Sequence, residues 1–539
     1  MNVYAMTKIH KEFIMKKVIA LLMALCFMAM ALVACGNNNE KPTESRPTAT
    51  LAPTDEYGQE LFESVVDWTT LDFEGENISV LLRETKEYAR EFGLEDPGDD
   101  MLDLAIATRN EKVASDLNIE VILNHENGPG GYDALRDHYI DLVTNDIVND
   151  IHNYDVVAHF AYVAPQMSIR DFNANLLDKD TFPYFDFQLP CWNQTLVDNT
   201  AVNGKLFFVA GDMNISMFNL SMIIWHNLDL YETVKTESDP DNIQDLAIAG
   251  EWTYAELYRW STYYEDADPT GACADIYGVY MGGGKTGMPN PLDAIPYAWD
   301  LELVTTEADG SHKFNCVGNQ KAEEAMKRFN ELFANAGNSY YAFNHGSQKC
   351  TCGKGVKAHF VNGDVLFSAE PLYASEGENL AIRNMQDRYA LLPHPKYDET
   401  QDHYATTSQD AYTLMVVLDH SQSTVPTKGK AVSAYLQYST EYSYTNVRGY
   451  YFERIVKPSY FGTDDSDGHV SKSIAIFNTI IDNLGFDFWT VYSPLLNDSV
   501  HLFRDALGLN LTLQSEYLAA KDKFDAAIFE TDKWLGIVN

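Results

Sequence analysis

Short apolar runs alternate with helical periodicity in the first folded stretch of the chain. Residues 78–82, 119–123 and 154–158 are apolar runs of strand length, and helix-like stretches separate them. The apolar positions of the first helix lie on one face: Leu102, Ile106, Val113 and Leu117. This β-α-β-α-β order predicts an α/β fold in which a parallel sheet is connected by crossover helices.

The middle and the end of the chain are more helical. Thr253 and Glu256 have the spacing of a capping box, and Trp252 and Leu257 have that of a hydrophobic staple, which gives Trp252 a structural role. Buried strands are predicted at residues 365–367 and 412–418. Two amphipathic stripes predict helices: Ala322, Ala325, Met326, Phe329, Leu332 and Phe333, and then Tyr517, Ala520, Phe524, Ala527 and Ile528.

The N-terminal segment has the pattern of a secretory signal peptide. Two lysines precede an uncharged apolar stretch at residues 18–34, and small residues precede the expected cleavage point. The run at residues 32–36, Leu-Val-Ala-Cys-Gly, resembles the lipobox of bacterial lipoproteins, which implies lipidation of Cys35 and an extracellular location at the cell membrane. An uncleaved signal anchor, with Cys35 as a bystander, is the alternative.

The segment after Cys35 predicts a flexible tether. Residues 36–53 are rich in Asn, Thr, Pro, Glu and Ser and contain almost no large apolar side chain. We therefore expect a signal peptide at residues 1–34, with Met15 as the true start, and a lipid-anchored linker at residues 35–55. No second long apolar run follows, so the remainder is expected to be soluble.

Charge and cysteine content exclude several function classes. The chain has 79 Asp and Glu residues against 38 Lys and Arg residues, for a formal net charge of −41. Nucleic acid is therefore an unsuitable partner, because binding phosphates needs a basic surface. The cysteines beyond position 35 are odd in number and sparse, so they predict no disulfide framework and have no assigned role: Cys191, Cys273, Cys316, Cys350 and Cys352.

Motifs for catalysis, cofactors or metals are weak. The Gly284-Lys285-Thr286 run lacks the glycine that a P-loop requires five residues earlier, where Val279 stands. Residues 345–359 contain two histidines and two cysteines, but their spacing matches no common zinc site, and a polar loop is favoured. No H-E-x-x-H or G-x-S-x-G motif occurs. We expect no cofactor, no metal and no catalytic residue.

Several local patterns resemble the family 1 extracellular solute-binding proteins of ABC importers, which include the maltose-binding proteins. Residues 203–212 and 222–231 resemble the strands that lead from one lobe to the other, and residues 251–253 resemble a Gly-Trp-Thr helix start. Residues 360–367 and 392–397 resemble the segment that returns toward the hinge. The order and spacing of these motifs extend over about residues 75–530.

The resemblance implies two discontinuous α/β lobes of the type II periplasmic-binding-protein fold, joined by a hinge, with a ligand cleft between them. Lobe 1 is expected at residues 75–210 and 385–445, and lobe 2 at residues 211–384 and 446–539. Such clefts close on their ligand by hinge motion.

A sugar cleft requires aromatic faces for the pyranose rings and carboxylates or amides for the hydroxyl groups. Candidates are expected at strand ends and lobe crossings, where each could equally be a core, capping or solvated side chain. The candidate ligand-binding residues are Asp212, Asn214, Glu370, Tyr373, Asp410, Tyr412 and Trp489, with Trp192 and Trp299 as weaker ones.

The sequence therefore favours a monomeric, lipid-anchored binding protein that captures a sugar or oligosaccharide and delivers it to ABC permease subunits. Two alternatives stay open. One is a surface lipoprotein enzyme that acts on glycans, since such an enzyme needs only two suitably placed carboxylates. The other is the same fold binding a peptide or another polar solute.

Overall fold

The structure is a computed structural model, and it describes residues 62, 64, 66–84, 86–129, 132–262, 276–281, 291–335, 340–341, 356–372, 382–419, 428–461 and 465–538. The predicted signal peptide, Cys35 and the predicted linker lie outside these residues. So do Cys273, Cys350 and Cys352. Within the described residues, no helix is both long enough and apolar enough to cross a bilayer.

Strands and helices alternate over most of the described chain. The strands are β1 (Glu76–Arg83), β2 (Ile119–Glu126), β3 (Val156–Phe160), β4 (Met222–Asn227), β5 (Tyr277–Met281), β6 (Val304–Thr306), β7 (His312–Phe314), β8 (Tyr340–Tyr341), β9 (Val365–Pro371), β10 (Tyr389–Leu392) and β11 (Thr413–Val417). The α-helices are α1 (Lys86–Ala89), α2 (Met101–Leu117), α3 (Tyr132–Val148), α4 (Ala164–Ser168), α5 (Gln194–Thr200), α6 (Ile215–Asn219), α7 (Leu228–Val234), α8 (Ile243–Ala249), α9 (Tyr254–Ser261), α10 (Ile295–Ala298), α11 (Gln320–Asn335), α12 (Val356–Val361), α13 (Lys428–Tyr442), α14 (Lys457–Phe461), α15 (His469–Asp482), α16 (Phe488–Tyr492), α17 (Leu502–Gly508), α18 (Leu513–Ala519) and α19 (Lys521–Trp534). Short 3₁₀ helices lie at Trp68–Thr70, Pro291–Ala294, Ile382–Asn384, Ser493–Leu495 and Ser499–His501.

The first sheet has the strand order β11-β3-β1-β2. β1 pairs in parallel with both β2 and β3, which confirms the predicted parallel sheet, and β11 joins β3 in the antiparallel direction. Alternate side chains of β1 enter different parts of the core, as the pleat of a strand requires. Ile78, Val80 and Leu82 pack in the cluster that contains Val113 of α2, whereas Leu81 packs in the cluster that extends to the second sheet.

The second sheet has the order β10-β4-β9-β5-β8. β4 is antiparallel to β9 and β10, and β5 is parallel to β9 and β8. Every residue of β4 is buried, which explains why this strand reads as a continuous apolar run. β10 belongs to this sheet, although the boundary expected at residue 385 assigns it to the first lobe. The exact lobe boundaries stay a prediction.

Two local predictions were wrong. The capping box at α9 does not form: the Thr253 side chain makes no capping hydrogen bond. The Glu256 carboxylate instead accepts a hydrogen bond from Trp260 Nε1 at 3.0 Å, so it is not available to the helix start. The C-terminal apolar stripe is divided between α18 and α19, because the chain leaves helical geometry at Ala520. Trp252 is structural as predicted, since it is fully buried and its Nε1 donates to the Pro393 carbonyl.

The chain passes between the two sheets at three places in the described residues. The connection from β3 to β4 is the first, and residues 393–412, which lead from β10 to β11, are the second. The third begins at α13, which packs on β1, and it leads to α15, which packs on β10. The helix continues from α13 to α14 through two π-helical segments, Ser443–Arg448 and Tyr451–Val456. Because π-helical turns in a long helix often mark functional or bending positions, this segment is suited to a hinge.

An ion pair joins the first connection to the third. Arg448 Nη1 lies 3.1 Å from Asp212 Oδ1, and both side chains are mostly buried. The Arg448 guanidinium also lies 5.6 Å from the Phe218 ring centroid. Burial raises the pKa of Asp212 from 3.8 to about 6, although the Arg448 charge opposes this rise. Asp212 therefore binds its proton more tightly in the folded state than in the unfolded chain.

We expect Asp212→Asn to alter the pH dependence of stability. The stabilisation from a carboxyl with a raised pKa is greatest below its ordinary pKa of 3.8 and is lost as the pH rises through about 6. Asn does not titrate, so the free energy of unfolding of the variant minus that of the wild type should increase by about 2 kcal/mol between pH 4 and pH 7. Urea unfolding of both proteins measures this difference. A difference that does not change with pH would contradict the assignment.

Candidate functional site

A small cavity lies between the two sheets, at the carboxyl end of β3. Its volume is about 30 Å³. We call it the inter-sheet cavity, and it is lined by Ala161, Tyr162, Met222, Asp293, Ala294, Thr407, Ser408, Gln409, Asp410, Tyr412, Phe486, Thr490, Ser493, Pro494 and Val500. Ligands of open α/β sheets bind beyond the carboxyl ends of the strands, so the position of this cavity is typical of a binding site.

The loop at residues 407–412 forms one wall of the cavity and is bonded to both sheets. The amide of Ala161, just after β3, donates to the Tyr412 carbonyl at 2.9 Å. The amide of Met222, at the start of β4, donates to the Thr407 carbonyl at 3.0 Å. These backbone hydrogen bonds fix the loop side chains relative to both sheets at once, as a binding site requires.

One lining residue, Asp293, belongs to a buried ion pair. Arg504 Nη1 in α17 lies 2.9 Å from Asp293 Oδ2, and the two side chains are 0% and 3% exposed. His501 lies next to this pair, and burial together with the Arg504 charge lowers the pKa of His501 to about 3. His501 is therefore neutral, and Arg504 supplies the positive charge beside Asp293.

Two hydroxyl groups of the lining residues are buried without a hydrogen-bond partner among the described residues. They are Thr407 Oγ1 and Tyr412 Oη. The Tyr412 ring lies 4.6 Å from the Phe486 ring, centroid to centroid, which leaves one aromatic wall beside the hydroxyl. Burial, with a further contribution from the Asp410 charge, raises the pKa of Tyr412 well above its ordinary value. Tyr412 thus stays protonated and can donate a hydrogen bond.

The structure brings only part of the predicted site together. Asp410 and Tyr412 line the inter-sheet cavity. Trp192 and Asp212 line a second opening, which we call the crossing cleft, with a volume of about 270 Å³. The crossing cleft is lined by Pro190, Cys191, Trp192, Asn193, Gln194, Thr195, Asp212, Met217, Phe218, Tyr444, Arg448, Ile481, Asp482 and Leu484. Trp192 is held there by its indole nitrogen, which donates to Gln437 Oε1 at 3.0 Å.

The other predicted residues lie outside the lining of both openings. Asn214 is buried at the start of α6, where its Oδ1 accepts from the Gly211 amide at 3.0 Å. Glu370 is half-buried in β9, opposite Ile223 of β4. Trp489 is buried in α16, next to Thr490 of the cavity lining. Trp299 is fully buried, and its Nε1 donates to the Pro395 carbonyl at 2.8 Å, as a core side chain does. Tyr373 lies outside the described residues.

Several lining residues were not predicted from the sequence. Tyr162 follows the predicted third strand by four residues, so the rule on carboxyl ends of strands could have identified it. Asp293, Thr407 and Thr490 lie in a 3₁₀ helix, a loop and a short helix, and none of these has a periodic pattern that marks its position. Only the tertiary fold brings them to the cavity.

Acidic and histidine side chains come together at the start of α15. Ligand atoms of Asp465, Asp467 and His469 lie within 4.8 Å of one another. Asp465 Oδ1 already accepts from the amides of Val470 and Ser471 at 2.8 and 3.0 Å, so it acts as a helix cap. Asp467 is bonded to His469 and to Arg388. Hydrogen bonds within the protein thus account for this cluster.

The residues considered as zinc ligands are only partly described. His345, Cys350 and Cys352 lie outside the described residues. His359 is described and is buried: its Nδ1 lies 3.3 Å from Asp364 Oδ2, and its ring is 5.5 Å from the Tyr280 ring, centroid to centroid. These contacts hold His359 in the core beside the second sheet, where its role is structural.

Comparison with known proteins identifies the type of fold. No protein-family model matches the chain, and no curated protein matches it by sequence. The sugar-binding protein MalE from Xanthomonas citri matches with a TM-score of 0.53 and 10% identity, over 86% of this chain and all of that chain.

Two further solved structures match over similar lengths. A cyclic α-maltosyl-1,6-maltose binding protein from Arthrobacter globiformis has a TM-score of 0.49 and 12% identity, over 84% of this chain and 99% of that chain. An ABC substrate-binding protein from Listeria monocytogenes, in complex with cycloalternan, has a TM-score of 0.47 and 11% identity, over 86% of this chain and all of that chain. The match to MalE confirms the predicted architecture: the chain has the two-lobed, type II fold of the ABC solute-binding proteins.

Proposed function

We propose that this protein binds a carbohydrate of the oligosaccharide class outside the cell and delivers it to the permease of an ABC importer. The observation that carries this proposal is the inter-sheet cavity, whose polar lining comes from both sheets and from the C-terminal helices. Its place in a two-lobed fold corresponds to a ligand cleft. The likeness to MalE, which is described as a sugar-binding protein, supports a sugar as the ligand class.

The lining suits the chemistry of a sugar. Carbohydrates present hydroxyl groups, which must be hydrogen-bonded once they are buried, and apolar ring faces, which pack on aromatic side chains. Thr407, Ser408 and Asp410 offer hydroxyl and carboxylate oxygens, and Tyr412 and Phe486 offer aromatic surface. One short stretch of chain thus supplies both kinds of group.

The size of the cavity implies motion. A cavity of about 30 Å³ is far smaller than the roughly 300–1,000 Å³ of small-molecule sites. An oligosaccharide therefore enters only when the two sheets move apart, and we infer that the described conformation is a closed one. Hinge closure around a ligand is one of the standard large motions of proteins, and the π-helical segment after α13 offers a place for it.

Binding without bond cleavage is favoured over glycan hydrolysis. The observation that favours an enzyme is the presence of two carboxylates, Asp293 and Asp410, in one cavity. A glycosidase places the scissile bond of its substrate between its two carboxyl groups. Asp293 is instead paired with Arg504, and a cavity of about 30 Å³ has no space for a sugar ring beside it. We therefore propose transport rather than catalysis, with a single chain as the working unit.

The ligand class is testable by thermal shift with purified protein. A panel of maltose, maltotriose, cellotriose and lacto-N-biose should contain a sugar that raises Tm, because ligand at 100 times its Kd adds about 2.7 kcal/mol to the stability of the folded state. Asp410→Asn should reduce the shift, and Glu370→Gln, a half-buried strand residue outside the lining, should retain it. A shift with peptides only would contradict a carbohydrate ligand, and release of shorter sugars during incubation would contradict a pure binding role.

A lipid anchor at Cys35 completes the proposal. The support for it is the sequence Leu-Val-Ala-Cys-Gly at residues 32–36, behind an uncharged apolar stretch. Stable membrane attachment takes more than one acyl chain, which a modified lipoprotein cysteine carries. The linker would then keep the binding lobes near the permease and raise the local concentration of bound ligand that the permease meets.

Metabolic labelling of producing cells with palmitate tests the anchor. Wild-type protein should carry the label, and Cys35→Ser should not, because no acyl chain can be attached to serine at this position. Cys26→Ser is the matched control, since Cys26 lies within the apolar stretch of the signal, and it should be labelled as the wild type is. Label that is retained in Cys35→Ser would rule out lipidation at this position.

A further inference from the structure

Two residues that line the inter-sheet cavity carry buried hydroxyl groups that the described residues do not satisfy. Thr407 Oγ1 and Tyr412 Oη are buried and have no hydrogen-bond partner among the described residues. A buried polar group without a partner costs about 1–3 kcal/mol. Since buried polar groups in folded proteins are almost always hydrogen-bonded, a group from outside the chain is the natural partner of these two atoms.

The chemistry of the lining selects the partner. A hydroxyl group both donates and accepts, so Thr407 and Tyr412 each offer both functions. The cavity also holds the carboxylates of Asp293 and Asp410, which disfavour an anion. Arg504 already pairs with Asp293, so this end of the cavity offers a cation little net negative charge. A neutral group that donates and accepts, such as an alcohol, satisfies all these atoms.

The volume of the cavity limits the size of this group. A cavity of about 30 Å³ holds one or two water molecules, since one water needs roughly 10–15 Å³. One hydroxyl or hydroxymethyl group fits such a space, and a pyranose ring does not. The group that enters must therefore project from the end of a longer molecule.

We propose that the inter-sheet cavity is a subsite for one terminal hydroxyl or hydroxymethyl group, bound by Thr407, Tyr412 and the Asp293 carboxylate, so that the protein recognises its ligand from one end. Arg504 is a positioning residue, because its ion pair fixes Asp293 from behind. This inference rests on the proposed function and narrows it to carbohydrates that have a free terminal hydroxyl group.

The chain offers matched controls for both hydroxyl groups. Thr406 Oγ1 is also buried without a partner among the described residues, yet Thr406 does not belong to the cavity lining. Tyr435 Oη is likewise buried without a partner, and Tyr435 lies in α13 in the other core cluster. The pairs Thr407→Val with Thr406→Val, and Tyr412→Phe with Tyr435→Phe, therefore remove the same chemical group inside and outside the cavity.

The first measurement is the Tm of the four variants in the absence of sugar. Removing an unpartnered buried hydroxyl while retaining the side-chain shape should leave Tm equal to that of the wild type or higher in all four. A Tm for Thr407→Val and Tyr412→Phe that falls well below those of their controls would show that the two hydroxyl groups serve the fold, and it would overturn the subsite.

The second measurement is calorimetric binding of maltotriose. Thr407→Val and Tyr412→Phe should each bind it about five- to tenfold more weakly than the wild type does, as expected for one lost hydrogen bond, whereas the two controls should match the wild type. Equal affinity in all four variants would overturn the subsite and leave the proposed function in place.

Two maltotriose analogues test recognition of the end of the ligand. One lacks the 6-hydroxyl of the non-reducing end, and the other lacks the anomeric hydroxyl. One of them should bind the wild type more weakly and should lose no further affinity in Thr407→Val, because the interaction is already absent. A Thr407→Val effect that persists in full with both analogues would contradict terminal recognition.

A different result would show that the proposed function itself is wrong. If the wild type binds neither maltotriose nor any other sugar of the panel, transport of oligosaccharides is wrong. The subsite rests on that function and is overturned with it, whereas binding by the wild type with equal affinity in all four variants overturns the subsite alone.

Discussion

The hydrogen bonds between residues 406–412 and both sheets are the interaction on which the rest of the site depends. The Tyr412 carbonyl is bonded to Ala161 after β3, and the Thr407 carbonyl to Met222 at the start of β4. The Gln409 amide donates to Leu220, and the Thr406 carbonyl accepts from Gly485. Because backbone groups buried between the sheets must be paired, this loop has little freedom. Its side chains are thereby held in the cavity.

The sequence predicted those parts of the fold that depend on local periodicity. The parallel arrangement of β1, β2 and β3 followed from three apolar runs separated by helical stretches, and the amphipathic pattern of α11 located that helix. β10 was not predicted as a member of the second sheet, since a four-residue strand carries too few positions to show which sheet it joins. Asp410 and Tyr412 were identified because they open a strand, whereas Asp293 and Thr407 reach the cavity only through tertiary contacts.

One ion pair lies beside each of the two openings, and each is suited to a different task. Arg504 pairs with Asp293 beside the inter-sheet cavity, where it fixes a carboxylate orientation. Arg448 pairs with Asp212 beside the crossing cleft, where it joins two of the connections between the sheets. Removing one partner of such a pair leaves an uncompensated buried charge, which costs more than the pair contributes. The two pairs therefore serve geometry more than stability, one beside the inter-sheet cavity and one between two of the connections.

The central claim is that the two sheets close on a sugar, and the distance between them tests it most directly. Met101 on α2 and Ile248 on α8 are exposed, and they lie on helices that pack with the first and the second sheet. Spin labels introduced at these positions through p-acetylphenylalanine report that distance by pulsed electron paramagnetic resonance. We expect a saturating sugar that raises Tm to change a broad distribution into a single narrow population. The same distribution with and without the bound sugar would contradict the account.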